Sequence, residues 1–198
     1  MPSNDRSATI RRETSETAIQ LDLNLDGSGQ GDSQTGIGFF DHMLAAFSRH
    51  GLFDLRIRCD GDLEVDAHHT VEDVGICLGQ AIDAALGDKA GIERFGASYV
   101  PMDEALARAV IDLSGRPFLA MNAVFQDTQV GEFPVTLVRE FFRAVADHGR
   151  ATLHLDLLRC TNDHHGVEAI FKACSRSLDA ATRRSARIRG IPSTKGSL

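Results

Sequence analysis

The chain has 198 residues, 42% hydrophobic and 25% charged, with a formal net charge of −7. That length suits one well-buried globular domain, and the acidic balance argues against a nucleic-acid partner, which calls for a basic footprint. No apolar run is long enough to span a membrane, and the polar residues 1–7 lack a signal-peptide core, so a cytoplasmic protein without a membrane partner is expected.

Residues 18–26 alternate apolar and polar, with Ile19, Leu21, Leu23 and Leu25 in phase, and run into the glycine-rich residues 27–31. This predicts a half-exposed strand and a hairpin. Residues 39–49 carry Phe40, Met43, Leu44 and Phe47 at helical spacing and stop at His50-Gly51, a helix C-terminal signal. Residues 52–65 read as strand with a turn near Asp60-Gly61. Residues 68–86 place Val71, Val74, Leu78, Ile82 and Leu86 at helical period, closed by Gly87. Further on, residues 105–113 and 117–125 predict strands and 135–146 a helix ending at His148-Gly149. Residues 152–158 predict another strand and 164–184 a long helix. Cys59, Cys77, Cys160 and Cys174 show no C-x-x-C spacing and read as reduced, packed thiols.

The halves echo each other. Glu16 and Gly27 stand 88 residues before Glu104 and Gly115; His42 and His50-Gly51 stand 98 before Glu140 and His148-Gly149. His68-His69-x-x-Glu72 stands 96 before His164-His165-x-x-Glu168. Equal chemistry in equal element order indicates duplication, with repeats over about 8–93 and 94–190 and a tail at 191–198. Two βαβ-type halves, each a four-stranded sheet with helices, make an α+β fold.

Each His-His pair opens a predicted helix. Residues four apart share a helix face about 6 Å apart along the axis, so His68 can share a metal ion with Glu72, and His164 with Glu168. An adjacent residue points about 100° away, so the two histidines of a pair should serve different ions. Asp66 and Asp163 sit where N-caps sit. One H-H-x-x-E alone reads as a solvated helix start; two copies, each followed by an apolar helix face, point to ligands. Imidazole with carboxylate suits Zn, Mn, Fe or Co. The pattern is not H-E-x-x-H, so it lacks the general base of zinc proteases. Arg94, Arg116, Lys172, Ser193 and Lys195 lie beside turns or one helical turn past a ligand, and such cations and hydroxyls make a phosphate clamp.

The runs Phe40-Asp41-His42-Met43-Leu44, His68-His69-Thr70-Val71-Glu72-Asp73, Arg94-Phe95-Gly96, Pro101-Met102-Asp103-Glu104-Ala105 and Asp112-Leu113-Ser114-Gly115-Arg116-Pro117 jointly resemble imidazoleglycerol-phosphate dehydratases. So do His164-His165 to Glu168 with Phe171-Lys172-Ala173, and Pro192-Ser193-Thr194-Lys195-Gly196. The resemblance spans residues 8–198. It implies a duplicated fold of the ribosomal protein S5 domain 2-like kind, a homo-oligomeric 24-mer built from trimers, active sites between subunits and two Mn2+ ions per site. One ion would be held by His42, His69, His164 and Glu168. The other would be held by His68, Glu72, His165 and a fourth ligand that many members supply as the His of Glu-His-Phe-Phe. This chain reads Arg139-Glu140-Phe141-Phe142. Either Glu140 ligates there, or three protein ligands and a water complete the ion; His148 lies further off.

The implied reaction dehydrates imidazole glycerol phosphate to imidazole acetol phosphate. Two ions would stabilise the ring as imidazolate, and Glu16 is the candidate base. Arg94, Arg116, Lys172, Ser193 and Lys195 would bind the phosphate, with His50 as a further substrate contact. A binuclear phosphoester hydrolase and a metal-stapled module that binds a phosphorylated ligand without chemistry are the alternatives.

Overall fold

The computed structural model describes residues 6–198; the rest of the polar start lies outside the described residues. The first half comprises β1 (Ser7–Glu13), β2 (Thr17–Asn24), β3 (Gly31–Gln34), α1 (Gly38–Gly51), β4 (Asp54–Gly61) and α2 (His68–Leu86). The second comprises β5 (Phe95–Met102), β6 (Ala105–Asp112), β7 (Phe118–Asn122), the short pair β8 (Gln129–Val130) and β9 (Phe133–Pro134), α3 (Leu137–His148), β10 (Thr152–Arg159) and α4 (Asp163–Thr182).

The two main sheets have the orders β1-β2-β4-β3 and β5-β6-β10-β7, the same path drawn twice. In each, one parallel pair (β3 with β4, β7 with β10) is joined through a helix, and the remaining pairs are antiparallel. Even the register repeats: Glu13 faces Ala18 as Pro101 faces Leu106, and Ile19 faces Cys59 as Ala107 faces Leu157. The α+β duplication expected from the sequence is therefore a property of the backbone.

One face of each sheet packs beneath the helices, which is why β2 and β6 alternate buried and exposed residues. Phe40, Phe47, Phe53, Phe133, Phe141, Phe142 and Phe171 are fully buried at the junction of the halves, each such burial favouring folding by roughly 1.5–3 kcal/mol. α1 lies along α4, and α3 along α2. A Cβ on Gly75 would stand 2.8 Å from the Phe141 carbonyl oxygen, and one on Gly79 2.7 Å from Gly149 N. Those α2 glycines permit the close approach of α3. No helix among the described residues is long and apolar enough to cross a membrane. All four cysteines are free; Cys77 and Cys174 are buried, and burial pushes both thiols up to about 12.

The chain departs from its sequence pattern at the sheet edges. β1 and β5 were not expected. β1 alternates only exposed with half-buried residues, and β5 contains a glycine and a proline, because an edge strand needs no fully apolar face. The hairpin after β2 is absent: residues 27–31 carry the chain across to the far edge, where β3 runs parallel to β4. The turn wraps the Asp54 carboxylate, whose Oδ1 accepts from Ser28 N at 2.8 Å and Gln30 N at 3.0 Å. Asp163 is not an N-cap. It is the first residue of α4, buried, accepting from Gln126 N and Asp127 N; Asn162 caps the helix by accepting from His164 N and His165 N. Asp66 does satisfy a helix-start donor, accepting from His68 N at 2.7 Å.

Candidate metal centre

α1 and α4 bring three predicted ligands together. His42 projects from the first turns of α1, and His164 and Glu168 lie one turn apart on α4. Glu168 Oε2 stands 3.1 Å from His42 Nε2 and 3.3 Å from His164 Nε2. One ligand atom from each lies within 4.8 Å of the others. Lys172, one turn further along the same face, approaches the second oxygen, Oε1, at 2.6 Å. Burial pushes the Glu168 carboxyl up, but the hydrogen bond and charge of Lys172, then His42, outweigh it and hold the group below its usual range. An anionic carboxylate with one oxygen turned to two imidazoles is a fit donor set for a borderline divalent ion.

The matching group on α2 is looser. His68 Nε2 and Glu72 Oε2 are 3.7 Å apart, both half-buried. His69 Nε2 stands 3.7 Å from Glu16 Oε1, while its Nδ1 donates to Asp62 Oδ2 at 2.9 Å. His165 repeats this, with Nδ1 donating to Glu104 Oε2 at 2.9 Å. Those bonds raise the pKa of both imidazoles, and Glu104 is pulled down to about 2 by His165. In each case the carboxylate fixes the ring and leaves Nε2 pointing away, the outer support a metal-binding histidine needs. The planes of neighbouring rings are steeply inclined to each other, at 83° for His68 and His69 and 80° for His164 and His165.

The remaining predicted residues are dispersed. His69 does not join His42, His164 and Glu168, and Glu140 faces Arg143 at 3.6 Å. Arg94 holds Asp112 through Nε at 2.7 Å and the Pro192 carbonyl through Nη1 at 2.8 Å, so it anchors the tail. Arg116 stands 3.8 Å from the same aspartate, and Ser193 Oγ accepts from Lys195 N. Arg94 N bonds Ala181 O, thirteen residues beyond Glu168 on α4, which places this clamp roughly 20 Å along the helix from the trio. Lys172 alone of the phosphate set lies at the trio. His50 sits near Lys172 and Arg176; partial burial, then those two cations, lower its pKa.

Two supporting residues escaped the sequence reading. Asp62 gave no signal, being a loop acid that the fold brings to His69. Glu104 was visible as the repeat counterpart of Glu16, yet only the structure gives it a partner.

The fold and the trio define a class: a duplicated α+β protein carrying imidazole–carboxylate groups suited to divalent ions. The imidazoleglycerol-phosphate dehydratase family model matches residues 35–178. The dehydratase of Salinibacter ruber is 57% identical over 193 residues, covering 98% of this chain and 96% of that protein. That of Chloroflexus aurantiacus is 58% identical over 194 residues, covering 98% and 95%. Among solved structures, imidazoleglycerol-phosphate dehydratase from Staphylococcus aureus superposes with a TM-score of 0.82 at 41% identity, covering 90% of this chain and 99% of that one. The Pyrococcus furiosus protein in complex with (S)-C348 gives 0.83 at 38%, covering 96% and 100%. This chain belongs to the imidazoleglycerol-phosphate dehydratase family, hydro-lyases of histidine biosynthesis.

Proposed function

We propose that the chain dehydrates D-erythro-imidazole glycerol phosphate to imidazole acetol phosphate, with two Mn2+ ions per active site. The observation that carries this is the trio itself, whose shared Glu168 oxygen already faces two imidazoles while Lys172 occupies the other oxygen. His42, His164 and Glu168 would hold one ion, joined by His69 of another copy of the chain. His68, Glu72 and Glu140 would hold the second, joined by His165 of another copy. Glu140 earns its part from the helix packing. Gly75 meets Phe141 and Ala144, and Gly79 meets Val145 and Gly149, so α3 runs parallel to α2. One turn back, Glu140 falls level with Glu72, as His42 does with Glu168.

Distance also supports a site shared between copies. Three carbons and an ester oxygen join the substrate's ring to its phosphorus, too short a link to reach from the trio to a clamp roughly 20 Å along the same α4. The proposal therefore includes a homo-oligomer, taken as a 24-mer of trimers, in which Arg94, Arg116, Ser193 and Lys195 of one copy serve the metal ligands of another. A fully active monomer would contradict it.

Divalent ions, when bound, stabilise negative charge on the azole ring. The side-chain hydroxyl leaves and takes up a proton to become water. Glu16, beside His69, then accepts the proton of the neighbouring carbon, so that one H and one OH are lost in all, and the resulting enol becomes the ketone. The clamp and Lys172 hold the phosphate, so that binding energy remote from the reacting carbon orients it. Incubation of the purified protein with Mn2+ and imidazole glycerol phosphate is expected to yield an enolisable ketone. Free phosphate instead would indicate a phosphoester hydrolase, and binding without turnover a ligand-capturing module.

A further inference from the structure

The tip between β1 and β2 carries Glu16; the tip between β5 and β6 carries its counterpart, Glu104. Beneath the first tip lies a polar cluster. Asp73, 5% exposed on α2, accepts a 2.5 Å hydrogen bond from Thr17 Oγ1 and pairs with Arg12 Nη2 at 2.9 Å. By the repeat register the counterparts of Arg12, Thr17 and Asp73 are Val100, Ala105 and Ala169, all buried. The same place in the same fold is thus built once with charges and once with hydrocarbon. Asp73 is buried and Arg12 partly exposed. Well-packed apolar residues often serve stability as well as a charge pair taken out of water, or better, so stability is a weak account of the polar version.

What the polar version adds is direction. Thr17 follows Glu16 in the chain, and Asp73 follows Glu72, so the Thr17–Asp73 bond ties the tip to the helix start that bears His68, His69 and Glu72. Thr14 Oγ1 shapes the tip by accepting from Glu16 N at 3.1 Å and Thr17 N at 3.0 Å. The Glu16 carbonyl accepts from Asp62 N at 3.1 Å, and Asp62 is the residue that holds His69. At the other tip Glu104 is engaged with His165 and has no free oxygen to aim by such a latch.

We propose that Asp73 is a positioning residue for Glu16: with Thr17 and Arg12 it locks the hairpin tip against the start of α2, fixing the Glu16 carboxylate beside the His69 ring. This rests on the reading of Glu16 as the base of the dehydration. The test gives the first tip the residues of the second, in the combined variant Arg12→Val, Thr17→Ala, Asp73→Ala, whose apolar composition the other half already packs. Metal content and melting are expected to stay close to those of the parent, while kcat falls about 10²-fold with KM little changed. In a Glu16→Gln background the three substitutions are expected to cost nothing further. Asp73→Asn, nearly isosteric, supplies the same kcat-against-KM split if the combined variant does not fold. Full kcat in the latch variants alongside an inactive Glu16→Gln overturns the latch alone, as does an equal proportional loss in both backgrounds. An active Glu16→Gln removes the base and the latch together.

Discussion

The two imidazole–carboxylate groups began as copies, yet one is assembled and the other open. On α4 the Glu168 side chain is 8% exposed and held between Lys172, His42 and His164. On α2 the Glu72 side chain is 43% exposed and stands 3.7 Å from His68. Two residues make the difference. The position one turn beyond Glu72 is Ile76, where Glu168 has Lys172; and the counterpart of His42 is Glu140, which turns to Arg143. An imidazole can approach a carboxylate unaided, whereas two carboxylates repel unless a cation lies between them. The trio on α4 is therefore organised by its own side chains, whereas the α2 group, on the proposed reading, would need an ion to draw it together.

That contrast can be broken most forcefully at the reacting carbon. Glu16→Gln keeps the hairpin and all metal ligands and is expected to lower kcat by about 10²–10⁴-fold with metal content unchanged; turnover like the parent's in a steady-state assay takes Glu16 out of the reaction. Next come the ligands. Glu168→Ala is expected to lose about half the bound Mn2+ by elemental analysis, and unchanged stoichiometry counts against its assignment. Glu140→His should sharpen the comparison in the other direction. With the parent, stepwise chelation is expected to remove one ion well before the other; with a second imidazole-type centre the two losses should draw together. Simultaneous loss in both proteins contradicts a weaker second centre. A smaller effect is expected outside the ligand sets: Asp62→Asn or Glu104→Gln should weaken Mn2+ affinity about 10–100-fold, read by titration.

Much of this was legible in the chain. The doubled His-His-x-x-Glu fixes two helix starts because a four-residue spacing has one meaning on a helix, and both helices begin within a residue of the reading. Strands with one fully buried face, such as β2 and β6, announce themselves by alternation. Edge strands β1 and β5 do not, since their pairing is set by backbone bonds on one side only. The wrong hairpin after β2 has a related cause: glycine-rich residues mark a change of direction but not its destination, and the carboxylate that organises this turn, Asp54, comes from a strand far along the chain. Within the trio, His164 and Glu168 could be paired because they share one helix face, whereas His42 joined them only through the family resemblance. Asp62 could not be linked to His69 by any period, and the Asp73–Thr17 bond spans 56 residues.

The subtlest expected effect concerns the support of His165 in metal-free protein. Glu104 raises the His165 pKa above its ordinary 6.5, and His165 lowers that of Glu104 from 4.5 to about 2. A raised histidine favours the folded chain fully below 6.5, and that contribution disappears as pH climbs through the folded value. A depressed carboxylate favours it above 4.5, and that contribution disappears as pH falls towards 2. Between 4.5 and 6.5 the pair contributes in full. Thermal melts with a chelator present should therefore separate the parent from Glu104→Gln most within that window, and the two curves should converge as pH rises. Asp62→Asn should show the same convergence on the alkaline side, because Asp62 raises His69 in the same sense. A gap between parent and variant that is constant across this range would mean that the carboxylates only shape loops and leave the imidazoles' charge alone.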